Sequence, residues 1–132
     1  MVDSKGLRSL NDIINQIKED FSFISENPNI LGVFLYGSTI YRAHHHRSDI
    51  DVCVVTKYKK LVKAYNYIME NLNRNIHEYD IRFFKGLPLK IQGEIMENGV
   101  LVVSKNKYEL YEYLFPYRKK YEDWKFKITY CM

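Results

Sequence analysis

The chain is 132 residues long, carries 20 Lys and Arg against 16 Asp and Glu for a formal net charge of +4, and is 46% hydrophobic. That hydrophobic share excludes a disordered chain, and no apolar run approaches the ~20 residues that a bilayer demands, so no membrane partner is expected. The length points to one domain, residues 1–132, with a single core.

The N-terminal Met-Val-Asp-Ser-Lys-Gly has no secretory apolar region, which gives the expectation of a cytoplasmic protein. Leu7, Leu10, Ile13, Ile14, Ile17, Phe21 and Ile24 recur in steps of three and four, so residues 5–26 read as an amphipathic helix that Asn27-Pro28-Asn29 stops. Ile30 to Tyr36 reads as a strand. It delivers Gly37 and Ser38, after which residues 39–46 lead to a second strand near Asp49. A helix over residues 57–73 is expected to turn Leu61, Val62, Tyr65, Ile68, Met69 and Leu72 to the sheet. His77 to Phe84 is a third strand, with Tyr79, Ile81 and Phe83 on one face and Asp80, Arg82 and Phe84 on the other. Pro88 and Asn98-Gly99 bracket a short helix, Val100 to Val103 is a fourth strand, and residues 108–128 read as a helix interrupted at Pro116. The order predicts an α/β protein: a mixed sheet of about four strands flanked by helices.

Cys53 and Cys131 lie far apart and outside any Cys-x-x-Cys pattern, which argues against a zinc site and a disulfide framework; Cys53 reads as a buried strand residue. The positive charge is uneven. Residues 104–132 hold seven Lys/Arg against four Asp/Glu, which is +3 of the net +4. Their mixture of basic and aromatic residues suits a nucleic-acid surface, but it suits equally a core helix with one solvated face, and the second reading is preferred. Direct nucleic-acid binding is therefore not expected, while contact of the polar edge with a protein partner is.

The chemistry gathers around Gly37. Side chains alternate along a strand, so Asp49 and Asp51 face one side with about 6.5 Å between their α-carbons. Such a pair opposes its own ionisation unless a cation neutralises it, and a hard divalent ion such as Mg²⁺ takes carboxylates together with phosphate oxygens. Gly37 lets the backbone approach a phosphate closely, and Ser38 offers a hydroxyl and an amide to its oxygens. Arg42 and Arg47, permanently charged and near that turn, are candidates for binding the triphosphate. His44, His45 and His46 are consecutive, so they cannot all aim at one ion from a helix or a strand.

Gly37-Ser38, ten intervening residues, then Asp49-x-Asp51 closely resembles the signature of the polymerase-β-like nucleotidyltransferase superfamily. The resemblance implies the nucleotidyltransferase fold, with Asp49 and Asp51 holding metal and a third carboxylate joining them from a neighbouring strand. Asp80 fits that part, as the only Asp between Asp51 and Asp123 and one set within a strand-like run. Two Mg²⁺ ions with ATP as substrate are implied, Asp80 serving as ligand and base. The short chain leaves no room for a separate substrate domain and looks like a minimal nucleotidyltransferase, similar to the MntA-like antitoxins of HEPN/MNT pairs. That likeness implies transfer of AMP to a tyrosine of a partner HEPN-family ribonuclease toxin. Two other readings stand beside it: an enzyme modifying a small molecule such as an aminoglycoside, and a non-catalytic antitoxin that neutralises by binding. Homo-oligomerisation stays open.

Overall fold

A computed structural model of the chain describes residues 7–37, 44–45, 49–72 and 76–130. Ser9 opens the first helix, α1 (Leu10–Asp20). Its hydroxyl accepts from the Asp12 amide at 3.1 Å, while the Asp12 carboxylate accepts from the Ser9 amide. That capping box sets the helix start after Leu7–Arg8 (β1), a two-residue strand, instead of within residues 5–9. The predicted helix through residue 26 also divides: past Phe21 the backbone tightens into a 3₁₀ turn, Ser22–Glu26, whose Ile24 still reaches the core.

Strand β2 (Ile30–Leu35) follows the Asn27-Pro28-Asn29 break, β3 (His44–His45) pairs antiparallel with β1, and β4 (Ile50–Thr56) returns beside β2. Helix α2 (Leu61–Asn71) carries the chain over to β5 (Tyr79–Phe83), which lies parallel to β4. Helix α3 (Leu89–Asn98) leads into β6 (Val100–Val103), antiparallel to β2, and α4 (Lys107–Tyr130) ends the described chain. The sheet order is β5-β4-β2-β6, a mixed four-stranded sheet between two pairs of helices, as the element order led one to expect.

Alternation along the strands sorts two cores. Val33, Leu35, Ile50, Val52 and Val54 pack with Ile13, Ile17 and Phe21 of α1 and its end and with Ala64 and Ile68 of α2. Leu31, Phe34, Cys53 and Val55 face the other way, towards Ile95 of α3 and Leu110 and Leu114 of α4. Cys53 is fully buried, as predicted, and burial pushes its thiol far above the ordinary range, which keeps it protonated and inert.

Two helical expectations are corrected. In α2 the buried positions are Ala64 and Ile68, with Met69 packed against the same core and Leu72 buried at the helix end as expected, while Val62 and Tyr65 point outward at 58% and 49% exposure. The helix begins only at Leu61, and Ala64 and Ile68, four residues apart, set its inward face, with Val62 and Tyr65 outside that face. Helix α4 is not interrupted at Pro116. Proline removes one backbone hydrogen bond, but Leu114 before it and Tyr121 after it are both buried, and that packing on each side offsets the loss.

Helices α3 and α4 meet closely. A β-carbon on Gly93 would stand 2.1 Å from the Tyr121 ring, so only glycine admits that ring. The Tyr121 hydroxyl donates to the Glu97 carboxylate at 3.2 Å, and Lys125 donates to the same group at 3.1 Å, holding Glu97 below the usual carboxylate range. Among the described residues no helix is long and apolar enough to cross a membrane.

Candidate active site

One edge of the sheet collects the end of β2 and the beginnings of β4, β5 and β6. The Tyr36 amide donates to the Asp51 carbonyl at 3.2 Å, extending the β2–β4 ladder by one rung to the brink of Gly37. Gly37 has φ +77°, a left-handed conformation that side chains with a β-carbon rarely adopt. A β-carbon there would also sit 2.8 Å from Asp51 Oδ2. The backbone turn thus requires glycine, and any larger residue would also push the Asp51 carboxylate aside.

Asp51 lies in β4 between Ile50 and Val52, whose side chains enter the α1–α2 core, so its own projects to the α3–α4 side. Asp80 occupies the equivalent place in β5. The parallel register pairs Asp51 with Asp80, and Ile81 packs into the α1–α2 core, which turns Asp80 to the same side as Asp51. Neighbouring strands are about 4.8 Å apart, so two carboxylates stand side by side across the ladder. Arg82, two residues along the same face, donates to Asp80 through Nε at 3.1 Å and through a terminal nitrogen at 3.5 Å. The Asp80 carboxylate holds the Arg82 guanidinium even more firmly charged than usual. Both side chains remain open to solvent, Asp80 at 36% and Arg82 at 56%. Asp49 is exposed and lies one residue ahead of β4, outside the strand ladder. Ser38, Arg42 and Arg47, like His46, lie outside the described residues; for His44 and His45 the backbone of β3 is described.

A cleft of about 440 Å³ opens beside this edge, lined by Tyr36 and Gly37 from the end of β2 and by Ile91, Glu94, Ile95, Asn98 and Gly99 from α3 and its end. Two apolar side chains and a few polar groups on a concave wall are what a small ligand of nucleoside size requires. The half-buried Tyr36 hydroxyl is pushed up to about 12, by burial first and then by Cys53 and Asp51, with Arg82 pulling against them. It therefore stays a neutral donor at any physiological pH.

Hard oxygen donors from Asp49, Asp51 and Asp80 are suited to divalent cations of the Mg²⁺ type, and a cation is electrostatically at home where Asp51 and Asp80 adjoin. Among the described residues no three His, Cys, Asp or Glu side chains already converge as a ligand cluster, Asp80 being engaged by Arg82. Three residues of this edge escape a reading from motifs: Arg82, Tyr36 and Glu94. Strand alternation from Asp80 gives Arg82, and adjacency to Gly37 gives Tyr36. Nothing local marks Glu94, which reaches the cleft through the packing of α3.

A model of the polymerase beta, nucleotidyltransferase family matches residues 15–108, a span from α1 through β6 to the start of α4. The chain belongs to that family. It is 34% identical over 94 residues, 71% of each chain, to a protein of Methanocaldococcus jannaschii that bears the name "Putative protein adenylyltransferase". Its fold is shared with a chain in the structure of tri-AMPylated Shewanella oneidensis HEPN toxin in complex with MNT antitoxin, at TM-score 0.59 and 14% identity over 89% of this chain and 90% of that one. A toxin–antitoxin structure with AMP-PNP matches at TM-score 0.55 and 15% identity, over 91% of this chain and 89% of the other.

Proposed function

We propose that the chain is a metal-dependent protein adenylyltransferase that moves AMP from ATP to a tyrosine of a partner HEPN-family ribonuclease toxin and thereby acts as its antitoxin. The observation that carries this reading is the juxtaposition of Gly37, Asp51 and Asp80 at one sheet edge beside a cleft of nucleoside size. The name of the Methanocaldococcus relative and the toxin–antitoxin complexes that share the fold support the acceptor class. On this reading residues 1–132 act as one domain.

The nucleoside lies in the cleft between Tyr36 and α3, and the phosphates lie against the open backbone of Gly37, with Ser38, Arg42 and Arg47 as further phosphate contacts. Asp49, Asp51 and Asp80 would hold two Mg²⁺ ions, which when bound neutralise the triphosphate and lower the pKa of an attacking hydroxyl. Asp80 leaves Arg82 to accept the proton of the acceptor hydroxyl. A phenol with an ordinary pKa near 10 needs such a base at neutral pH. The bond between the tyrosine oxygen and the α-phosphorus forms, the bond from that phosphorus to the bridging oxygen of the β-phosphate breaks, and pyrophosphate departs. Released from Asp80, Arg82 is free to offset the charge of the departing group.

The test is incubation of the purified chain with ATP, Mg²⁺ and a HEPN-family ribonuclease, sought first in a neighbouring reading frame, followed by mass spectrometry of that protein. An AMP unit on tyrosine, absent with Asp49→Asn or Asp51→Asn, is the expected result. Equal neutralisation of the partner by Asp51→Asn with no added mass means that inhibition is by binding alone, and transfer to a small-molecule acceptor instead of the partner also overturns the reading.

A further inference from the structure

Helix α4 is aromatic on two opposite faces, and the core uses one of them. Leu110, Leu114 and Tyr121 are buried, while Tyr111, Phe115, Phe126 and Tyr130 are exposed at 49%, 62%, 60% and 72%. At 100° per residue these four fall within about 100° of one another, on the side of the helix away from the sheet; Lys119 and Glu122 lie at the centre of the same stripe, Glu112 and Thr129 on its margins, and exposed Tyr108 extends it at the N-terminal end. Lys119 and Glu122 are both exposed, and among the described residues neither belongs to an ion pair. Lys125 is held by Glu97 of α3, and from residue 126 to residue 130 every side chain is exposed, so the stripe at the end of α4 lies open to solvent. An aromatic stripe of this extent on a solvated helix marks an interaction surface.

The spacing within the stripe identifies the occupant. Between Tyr111 and Tyr130 its aromatic and central charged positions are symmetric about a point midway between Lys119 and Glu122: one step outward stand Phe115 and Phe126, and one step further Tyr111 and Tyr130. Two copies of α4 laid antiparallel about a two-fold axis at that point set Lys119 opposite Glu122 twice, Phe115 opposite Phe126 twice and Tyr111 opposite Tyr130 twice. The seam would run about 28 Å along the helix. Such self-complementarity is the requirement of an isologous interface, in which each contact occurs twice. A parallel pairing would bring like charges together and leaves the charge pattern without a role. We propose that this outer stripe of α4 is a homodimerisation surface whose partner is the antiparallel α4 of a second copy. The inference is independent of the transfer site, which lies at the sheet edge on residues that the stripe does not include.

The charge pair gives the test. Sedimentation equilibrium of the full chain should show a mass rising with concentration from 15.9 kDa to twice that value. Lys119→Glu sets Glu against Glu122 at both contacts and should weaken association about tenfold or more, as should Glu122→Lys; the double exchange restores both pairs and should return association to about the parental strength. Phe115→Asp should give a monomer, with circular dichroism confirming the fold. A parent that stays monomeric to millimolar concentration overturns the proposal, as do single exchanges without effect or a double exchange that fails to restore association. It is equally overturned if the stripe variants keep the self-association and instead lose capture of the HEPN-type partner, which would assign the stripe to that protein.

Discussion

The two faces of the sheet are built from the same strands and do different work. Towards α1 and α2, β4 offers Ile50, Val52 and Val54, all fully buried, and the apolar cover runs unbroken to the strand end. Towards α3 and α4 the same strand offers Asp51, Cys53 and Val55, and the cover stops one residue short, leaving Asp51 half-buried beside Asp80 and Gly37. The lesson is that a site does not need its own scaffold. One face secures the register, and the other, held by the same backbone hydrogen bonds, can expose charge at its rim without loosening the strands.

This contrast can be broken at either face. The largest effect is expected at the open one: Asp80→Asn removes the proposed base while the strand keeps its apolar partners, so turnover should fall about 10²–10⁴-fold. Nucleotide affinity measured by calorimetry should fall far less. Equal losses in both would reduce Asp80 to part of the nucleotide pocket. On the sealed face, Ile68→Ala leaves a cavity beneath α2 and should lower unfolding free energy by about 2–5 kcal/mol in urea titrations, with activity per folded molecule retained. A loss of activity without a loss of stability would show that the two faces are coupled in some other way.

Two smaller effects sharpen the comparison at the rim. Gly37→Ala pushes a β-carbon onto Asp51 and into a left-handed backbone, which should cost about 1–2 kcal/mol of stability and lower transfer as well. Unchanged activity would mean that the turn relaxes freely. Tyr36 titrates near 12 in the folded chain against an ordinary value of 10, so between those values the unfolded chain binds fewer protons and stability falls as pH rises. Tyr36→Phe should flatten that alkaline decline, whereas an unaltered profile between pH 10 and 12 would assign it to other tyrosines. Tyr79 is one such group, held up by burial and by donation of its hydroxyl to Asp20 at 2.6 Å.

Much of the fold was written in local pattern. The apolar runs Ile30 to Tyr36 and Val52 to Val55 and the three-to-four spacing from Leu10 to Phe21 gave the four-stranded sheet and its helices in their true order, because burial on both sides of a strand and on one stripe of a helix leaves that mark. The neighbourhood of Asp51 and Asp80 was suggested by resemblance, but their register depends on how β5 slides along β4, which only the packed α2 crossover decides. Three features resisted for similar reasons. The pairing of β1 with β3 is a non-local backbone ladder, the uninterrupted α4 depends on buried neighbours on both sides of Pro116, and the engagement of Asp80 by Arg82 is a side-chain choice among several carboxylates.

The parallel ladder between β4 and β5 has a consequence for how the gene can vary in length. Removing one codon within β5 would exchange its two faces, so that Ile81 or Tyr79 would stand where Asp80 meets Asp51 and the carboxylate would be turned into the hydrocarbon interior. A codon added or removed at Lys59 or Lys60, the exposed residues just before α2, leaves that alternation untouched and spares Tyr58, whose ring packs on the core. Insertions and deletions should therefore be tolerated before α2 and eliminated within β5, a pattern that a deletion scan scored for transfer activity would read directly.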